Sequence, residues 1–192
     1  MKDRITGLIL AGGKSRRMGR DKARLPWPPG SETRLIDSVI GKMSGVFDRL
    51  VLSVQSEDAF PEINLPKVVD RYPETGPLGG IASAFESGET AFFCVACDMP
   101  FLNPELIRFL CGFQDCDAVV PVWHGRIESL HAFYSATLLP QFQRALGQGR
   151  FRITESFGEG HVKYIHEAEV RHFDPGGQSF RNINTPDEYE QK

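Results

Sequence analysis

Apolar residues run almost without interruption from Ile5 to Leu10 and stop at Ala11-Gly12-Gly13, the pattern of a short strand covered on both faces. From Leu35 the period changes. Leu35, Ile36, Val39, Ile40, Met43 and Phe47 recur at helical spacing, which predicts an amphipathic helix with Thr33 as its N-cap. Strands are predicted over Arg49–Val54 and Lys67–Val69, and a Gly/Pro-rich loop then leads to a helix from Leu78 to Ser87. A strand over Phe92–Cys97 is followed by Asn103-Pro104, a capping residue with proline at the first helical position. Ala118–Val122 and Leu130–Tyr134 read as further strands, Thr137–Leu146 as a helix closed by Gly147, and Val162–Ile165 and Val170–Phe173 as strands near one edge. Strand and helix in alternation imply a mostly parallel sheet covered on both faces, a Rossmann-like three-layer α/β domain. With no internal repeat, linker or low-complexity stretch, residues 1–192 are expected to form one domain.

Composition adds little until charge is resolved along the chain. The 192 residues carry 22 Lys and Arg against 25 Asp and Glu, a formal charge of −3. Six basic residues (Lys14, Arg16, Arg17, Arg20, Lys22 and Arg24) stand against Asp21 between positions 14 and 24, a local +5 that leaves −8 for the remainder. A concentrated positive segment on an acidic body suits a small anionic ligand, not a nucleic acid tracked along a face. No apolar run reaches the roughly 18 residues of a membrane span, and no leader is evident, so a cytoplasmic protein without membrane contact is expected. The four cysteines fit reduced thiols; Cys94 and Cys97 have CxxC spacing, but on a strand they face opposite sides of the sheet.

Ligands of open α/β sheets bind beyond the carboxyl ends of the strands. After the first strand comes Leu10-Ala11-Gly12-Gly13-Lys14-Ser15-Arg16-Arg17-Met18-Gly19-Arg20-Asp21-Lys22, where paired glycines and interleaved cations suit a phosphate chain. It is not a Walker A loop, whose first glycine would fall at Leu8, inside the strand, and the GxGxxG fingerprint is absent. Asp98 follows the Phe92–Cys97 strand and is placed to hold Mg²⁺, which takes one or two carboxylates with phosphate oxygens and water; a turn or helix cap is the competing role. Asp70 follows another strand, ahead of Gly76-Pro77-Leu78-Gly79-Gly80, which permits close approach of a ring or phosphate or simply makes a tight turn. Asn182 and Asn184 share one face of an extended segment before Thr185-Pro186, a helix start, and their amides suit a ligand or a metal-bound water. The five histidines form no metal motif, and no serine or cysteine sits in a nucleophile elbow. Trp27-Pro28-Pro29 is expected to be exposed, as a partner surface or a stiff loop.

Together these blocks resemble the molybdenum cofactor guanylyltransferase family. Leu10–Lys22 looks like its opening loop, Gly76–Gly80 like its second glycine segment, Cys97-Asp98-Met99-Pro100 like its metal strand end, and Asn182-Ile183-Asn184-Thr185-Pro186 like its closing motif. Glu128-Ser129-Leu130-His131-Ala132 is reminiscent of the family within an otherwise dissimilar stretch. The resemblance implies Mg²⁺-dependent transfer of GMP from GTP to the terminal phosphate of molybdopterin (Mo-molybdopterin), releasing pyrophosphate. It implies nucleotide binding by Leu10, Ala11, Gly12, Gly13, Ser53, Asp70 and Gly79, and charge neutralisation by Arg16 and Lys22. Asp98 would hold the metal, and Asn182 and Asn184 would lie on the pterin side or near the metal. Ser53 departs from the family, which often has Asn there. GTP and molybdopterin are thus the implied small-molecule partners, with molybdoenzymes or other cofactor-biosynthesis proteins as protein partners. CMP transfer to the same pterin, nucleotide-sugar synthesis, and GTP binding without turnover are the alternatives.

Overall fold

The computed structural model describes residues 5–12, 22–183 and 188–189. The α/β alternation read from the sequence forms one mixed sheet between two helical layers. Its strands are β1 (Thr6–Leu10), β2 (Leu50–Val54), β3 (Lys67–Val69), β4 (Ala91–Ala96), β5 (Ala118–Trp123), β6 (Arg126–Ile127), β7 (His131–Ser135) and β8 (Val162–Ile165). They lie in the order β3-β2-β1-β4-β7-β5-β6, with β8 also on β5. The β3, β2, β1 and β4 pairings are parallel, as is β5 with β8. Only β7 and the short β6 run against their neighbours. The chain lays β2 and β3 on one side of β1, then returns to place β4 on the other. That reversal opens a crevice at the carboxyl ends of β1 and β4.

Alternation along the central strands assigns the two cores. Ile9, Phe93 and Val95 face α1 (Leu35–Ser44) and α3 (Pro104–Leu110), packing with Val39, Met43 and Leu106. Leu8, Phe92 and Cys94 face α2 (Pro77–Phe85) and α4 (Leu139–Gly147), packing with Ile81, Tyr134 and Phe142. Cys94 and Cys97 accordingly pack on opposite faces, and none of the four cysteines forms a disulfide. No helix among the described residues is long and apolar enough to cross a membrane.

Several elements differ from the sequence-based expectation. The cap of α1 is Arg34, whose side chain and backbone engage Asp37, while the Thr33 carbonyl accepts the Trp27 N–H at 2.6 Å. The expected strand over Val170–Phe173 is instead the end of α5 (Glu167–Val170) and a turn. There Glu169 accepts the His166 N–H at 3.1 Å, the Glu167–Arg171 pair spans one turn, and Val170 is buried as the helix's apolar contact. The helix expected from Thr137 opens as a 3₁₀ turn over Ala136–Leu138 before α4 begins. Trp27 is not exposed: it is buried in a third small core with Leu35, Ile183, Phe101 and Tyr189.

Candidate active site

Four strand ends are stitched together around the crevice. The Ala11 N–H donates to the Ser53 carbonyl at 2.9 Å, Cys97 N–H to Leu10 at 3.1 Å, and Asp70 N–H to Val54 at 2.8 Å. Leu10 lies inside the ladder, paired with Ser53 and Ala96, and Ala11's amide is engaged by the sheet. Among the described loop residues, Gly12 is therefore the one that leaves the ladder. Its carbonyl accepts Nε2 of Gln55 at 2.7 Å. Gly13 and Arg16 lie outside the described residues, as does Asn184.

The two described members of the basic cluster diverge. Lys22 points its Nζ to within 3.7 Å of Asp98 Oδ2, and both side chains are largely covered. Arg24 turns away, pairing with Glu62, which also pairs with Arg34, and stacking 4.8 Å over Phe60. Asp98 sits in the turn after β4. Burial pushes its carboxyl above the ordinary carboxylate range, Lys22 opposes that rise, and Glu188 adds to it. The Asp98 carbonyl accepts the Ile183 N–H at 2.9 Å, which brings Asn182 to the same edge. The Asn182 Oδ1 is buried with no hydrogen-bond partner.

That orphaned oxygen tests the metal expectation. A buried carboxylate and an unpartnered amide oxygen on one edge are hard donors of the type Mg²⁺ takes, with phosphate and water completing its shell. Among the described residues no three His, Cys, Asp or Glu side chains converge into a self-sufficient metal cage. The donor set thus fits a cation held jointly with a phosphorylated ligand.

The remaining expected residues have distinct surroundings. Ser53 is 2% exposed, and its Oγ would lie 2.8 Å from a Cβ placed on Gly80, so it is closed beneath the first turn of α2. Asp70 is half-buried and its carboxyl is raised by burial; it accepts the Tyr72 N–H at 2.8 Å and the Ser83 hydroxyl at 3.3 Å, fastening its turn to α2. Gly79 has a packing reason to be glycine: a Cβ there would meet Thr75 Oγ1 at 2.1 Å and the Tyr72 carbonyl at 2.9 Å. Gln55 and Tyr189 also border the crevice, with no motif around either in the sequence. Tyr189 donates its hydroxyl to the Pro26 carbonyl at 2.7 Å and packs on Trp27, holding the C-terminal segment against the chain that follows the basic loop. His131, opposite Val95 at the start of β7, is fully buried between the edges of Phe93 and Phe180, and neither ring nitrogen has a partner. Burial lowers its pKa to about 3.

The model of the MobA-like NTP transferase domain matches residues 7–162, most of the chain and all four strands that border the crevice. The chain belongs to the MobA-like nucleotidyltransferase family. A molybdenum cofactor guanylyltransferase of Desulfosudis oleivorans is 35% identical over 191 residues, covering 98% of this chain and 94% of the relative. A probable molybdenum cofactor guanylyltransferase of Methanosarcina mazei is 33% identical over 202 residues, covering 96% and 88%. Among solved structures, molybdopterin-guanine dinucleotide biosynthesis protein A of Archaeoglobus fulgidus superposes with a TM-score of 0.83 at 29% identity, covering 97% of this chain and 95% of that one. The same architecture extends to 4-diphosphocytidyl-2C-methyl-D-erythritol synthase of Anaerococcus prevotii, with a TM-score of 0.68 at 13% identity, covering 98% and 93%. This MobA-like nucleotidyltransferase therefore carries its Lys22–Asp98 pair at the crevice of a fold shared by guanylyl- and cytidylyl-named proteins.

Proposed function

We propose that this protein transfers GMP from GTP to the terminal phosphate of molybdopterin, with release of pyrophosphate. The observation that carries this reading is the covered Lys22–Asp98 pair, in a chain whose whole-length relatives bear the guanylyltransferase name. In this reaction an oxygen of the pterin phosphate forms a bond to the α-phosphorus of GTP, and the bond from that phosphorus to the β-bridging oxygen breaks. No covalent enzyme intermediate is needed. The enzyme must align two anions and offset the charge that passes to pyrophosphate. Lys22 supplies a cation at the crevice, with Arg16 assigned beside it by the family resemblance alone. Asp98 and the Asn182 amide oxygen would hold Mg²⁺, which when bound neutralises phosphate oxygens. Gly12 carries the nucleotide past the sheet edge, Gly13 by resemblance continues that path, and Asp70 keeps the β3 turn against α2.

The test compares GTP and CTP, with and without Mg²⁺, by titration calorimetry and by pyrophosphate release in the presence of molybdopterin. Mg²⁺-dependent turnover of GTP is expected. Turnover of CTP in its place would move the protein to the cytidylyl branch, and GTP binding without pyrophosphate release would make it a binding protein.

A further inference from the structure

Gln55 is an exposed side chain one residue beyond β2, with a conformation set by its neighbour. Its Nε2 donates to the Gly12 carbonyl at 2.7 Å, and its Cγ lies 3.5 Å from where a Gly12 Cβ would stand. A carbonyl accepts and does not donate, so the contact fixes which end of the carboxamide faces Gly12 and turns Oε1 away from it. The result is a positioned acceptor at the mouth of the crevice.

Its location decides what it can read. In the order β2-β1-β4, Gln55 stands on the β2 side of the Leu10–Gly12 segment and Lys22–Asp98 on the β4 side. Two inter-strand steps separate these flanks, roughly 10 Å, a span comparable to that from the phosphates of a nucleotide to its base. Glu57 and Asp58 follow Gln55 in the sequence and are exposed, which disfavours phosphates on that flank.

We infer that Gln55 is a specificity-determining residue whose Oε1, oriented by the Gly12 carbonyl, accepts an N–H from the base of the bound nucleotide. Guanine meets such an acceptor with two adjacent donors, N1–H and the 2-amino group, whereas cytosine has a single donor, its 4-amino group, beside the lone pairs of N3 and O2. An acceptor placed for the guanine N1–H and 2-amino donors therefore faces lone pairs when cytosine takes that place. The inference rests on the proposed guanylyl reading and adds the group that enforces it.

The experiment measures Kd for GTP and for CTP, each with Mg²⁺, on the full chain and on Gln55→Leu, with thermal melting as a check of folding. The expected result is a GTP preference in the natural protein that falls about tenfold or more in the variant, through weaker GTP binding alone. If the variant binds both nucleotides more weakly in equal proportion, or retains the preference, Gln55 only braces the loop and the inference is overturned while the guanylyl reading stands. If the natural protein binds CTP as tightly as GTP, that reading fails and Gln55's role fails with it.

Discussion

Lys22 Nζ stands 3.7 Å from Asp98 Oδ2 across the crevice between β1 and β4, with 14% and 17% of the two side chains exposed. The two groups come from segments that follow different strands, so their meeting is a product of the sheet order and not of local sequence. The pair offsets two charges that water scarcely reaches, and it lies at the only place where the chain reverses direction across β1 among the described strands.

Asp98→Asn is expected to abolish pyrophosphate release while leaving the fold intact. The ionised carboxylate is disfavoured by burial, so its folded pKa is raised above the unfolded value. Such a group reduces stability as pH rises from the unfolded pKa through the folded one. Removing the charge should therefore leave the melting temperature unchanged or higher at pH 7. Near-normal turnover in this variant would remove Asp98 from the proposed metal site.

Lys22→Ala should lower the rate of transfer by about 10²-fold or more, the scale of removing a group that stabilises charge developing in the transition state. Steady-state kinetics with GTP separates this from a surface role. A variant that melts earlier but turns over normally would show that Lys22 only neutralises Asp98.

Gly80→Ala is expected to disturb the site from within the core. Its new methyl would lie 2.8 Å from Ser53 Oγ and 3.2 Å from Leu10 Cδ2, contacts that must be relieved by moving those side chains or α2. A loss of about 1–3 kcal/mol is expected from such overpacking. Ser53→Ala in the same chain removes the nearer atom and should recover part of the loss. Denaturation of the two single variants and the double variant measures the coupling, and strict additivity would place the strain elsewhere.

His131 should make the protein sensitive to acid. Its folded pKa of about 3 lies below the ordinary 6.5, so the unfolded chain takes up a proton that the folded chain refuses. Stability is unaffected above the unfolded pKa and is lost as pH falls from there toward the folded value, at about 1.4 kcal/mol per pH unit for one proton. His131→Phe also removes two unpartnered buried nitrogens. Urea denaturation between pH 7 and pH 4 should show a shallower fall in this variant; an identical fall would assign the acid sensitivity to other groups.

The elements with a strong local signal are legible in the sequence. The unbroken apolar run of β1, the helical period of α1 and the Asn103-Pro104 start of α3 each contain their own instruction. The direction of β7 does not, because alternation is the same for a parallel and an antiparallel strand. Trp27 reads as exposed beside two prolines, since the residues that bury it, Ile183 and Tyr189, are distant in sequence. Val170–Phe173 shows two apolar residues around two polar ones, whereas the structure is set by the His166–Glu169 cap just upstream. At the site, Asp98 and Lys22 had recognisable contexts, but a glutamine one residue past a strand has none. Gln55 acquires meaning only from the carbonyl it touches.

The hydrogen bond from Ile183 to Asp98 also ties residues made late in synthesis to a strand end made in mid-chain. β1 through β4 are complete by Ala96, and chains are synthesised from their N-terminal end. The parallel half of the sheet, with Lys22 and Asp98 at its edge, is thus available well before Asn182 is made. Until that segment docks, the Trp27 core lacks Ile183 and Tyr189, and the metal proposed at Asp98 lacks Asn182. A chain interrupted before residue 181 would keep β1 to β4 but lose Asn182, Ile183 and Tyr189 together, so the Trp27 core and the metal proposed at Asp98 depend on one and the same segment.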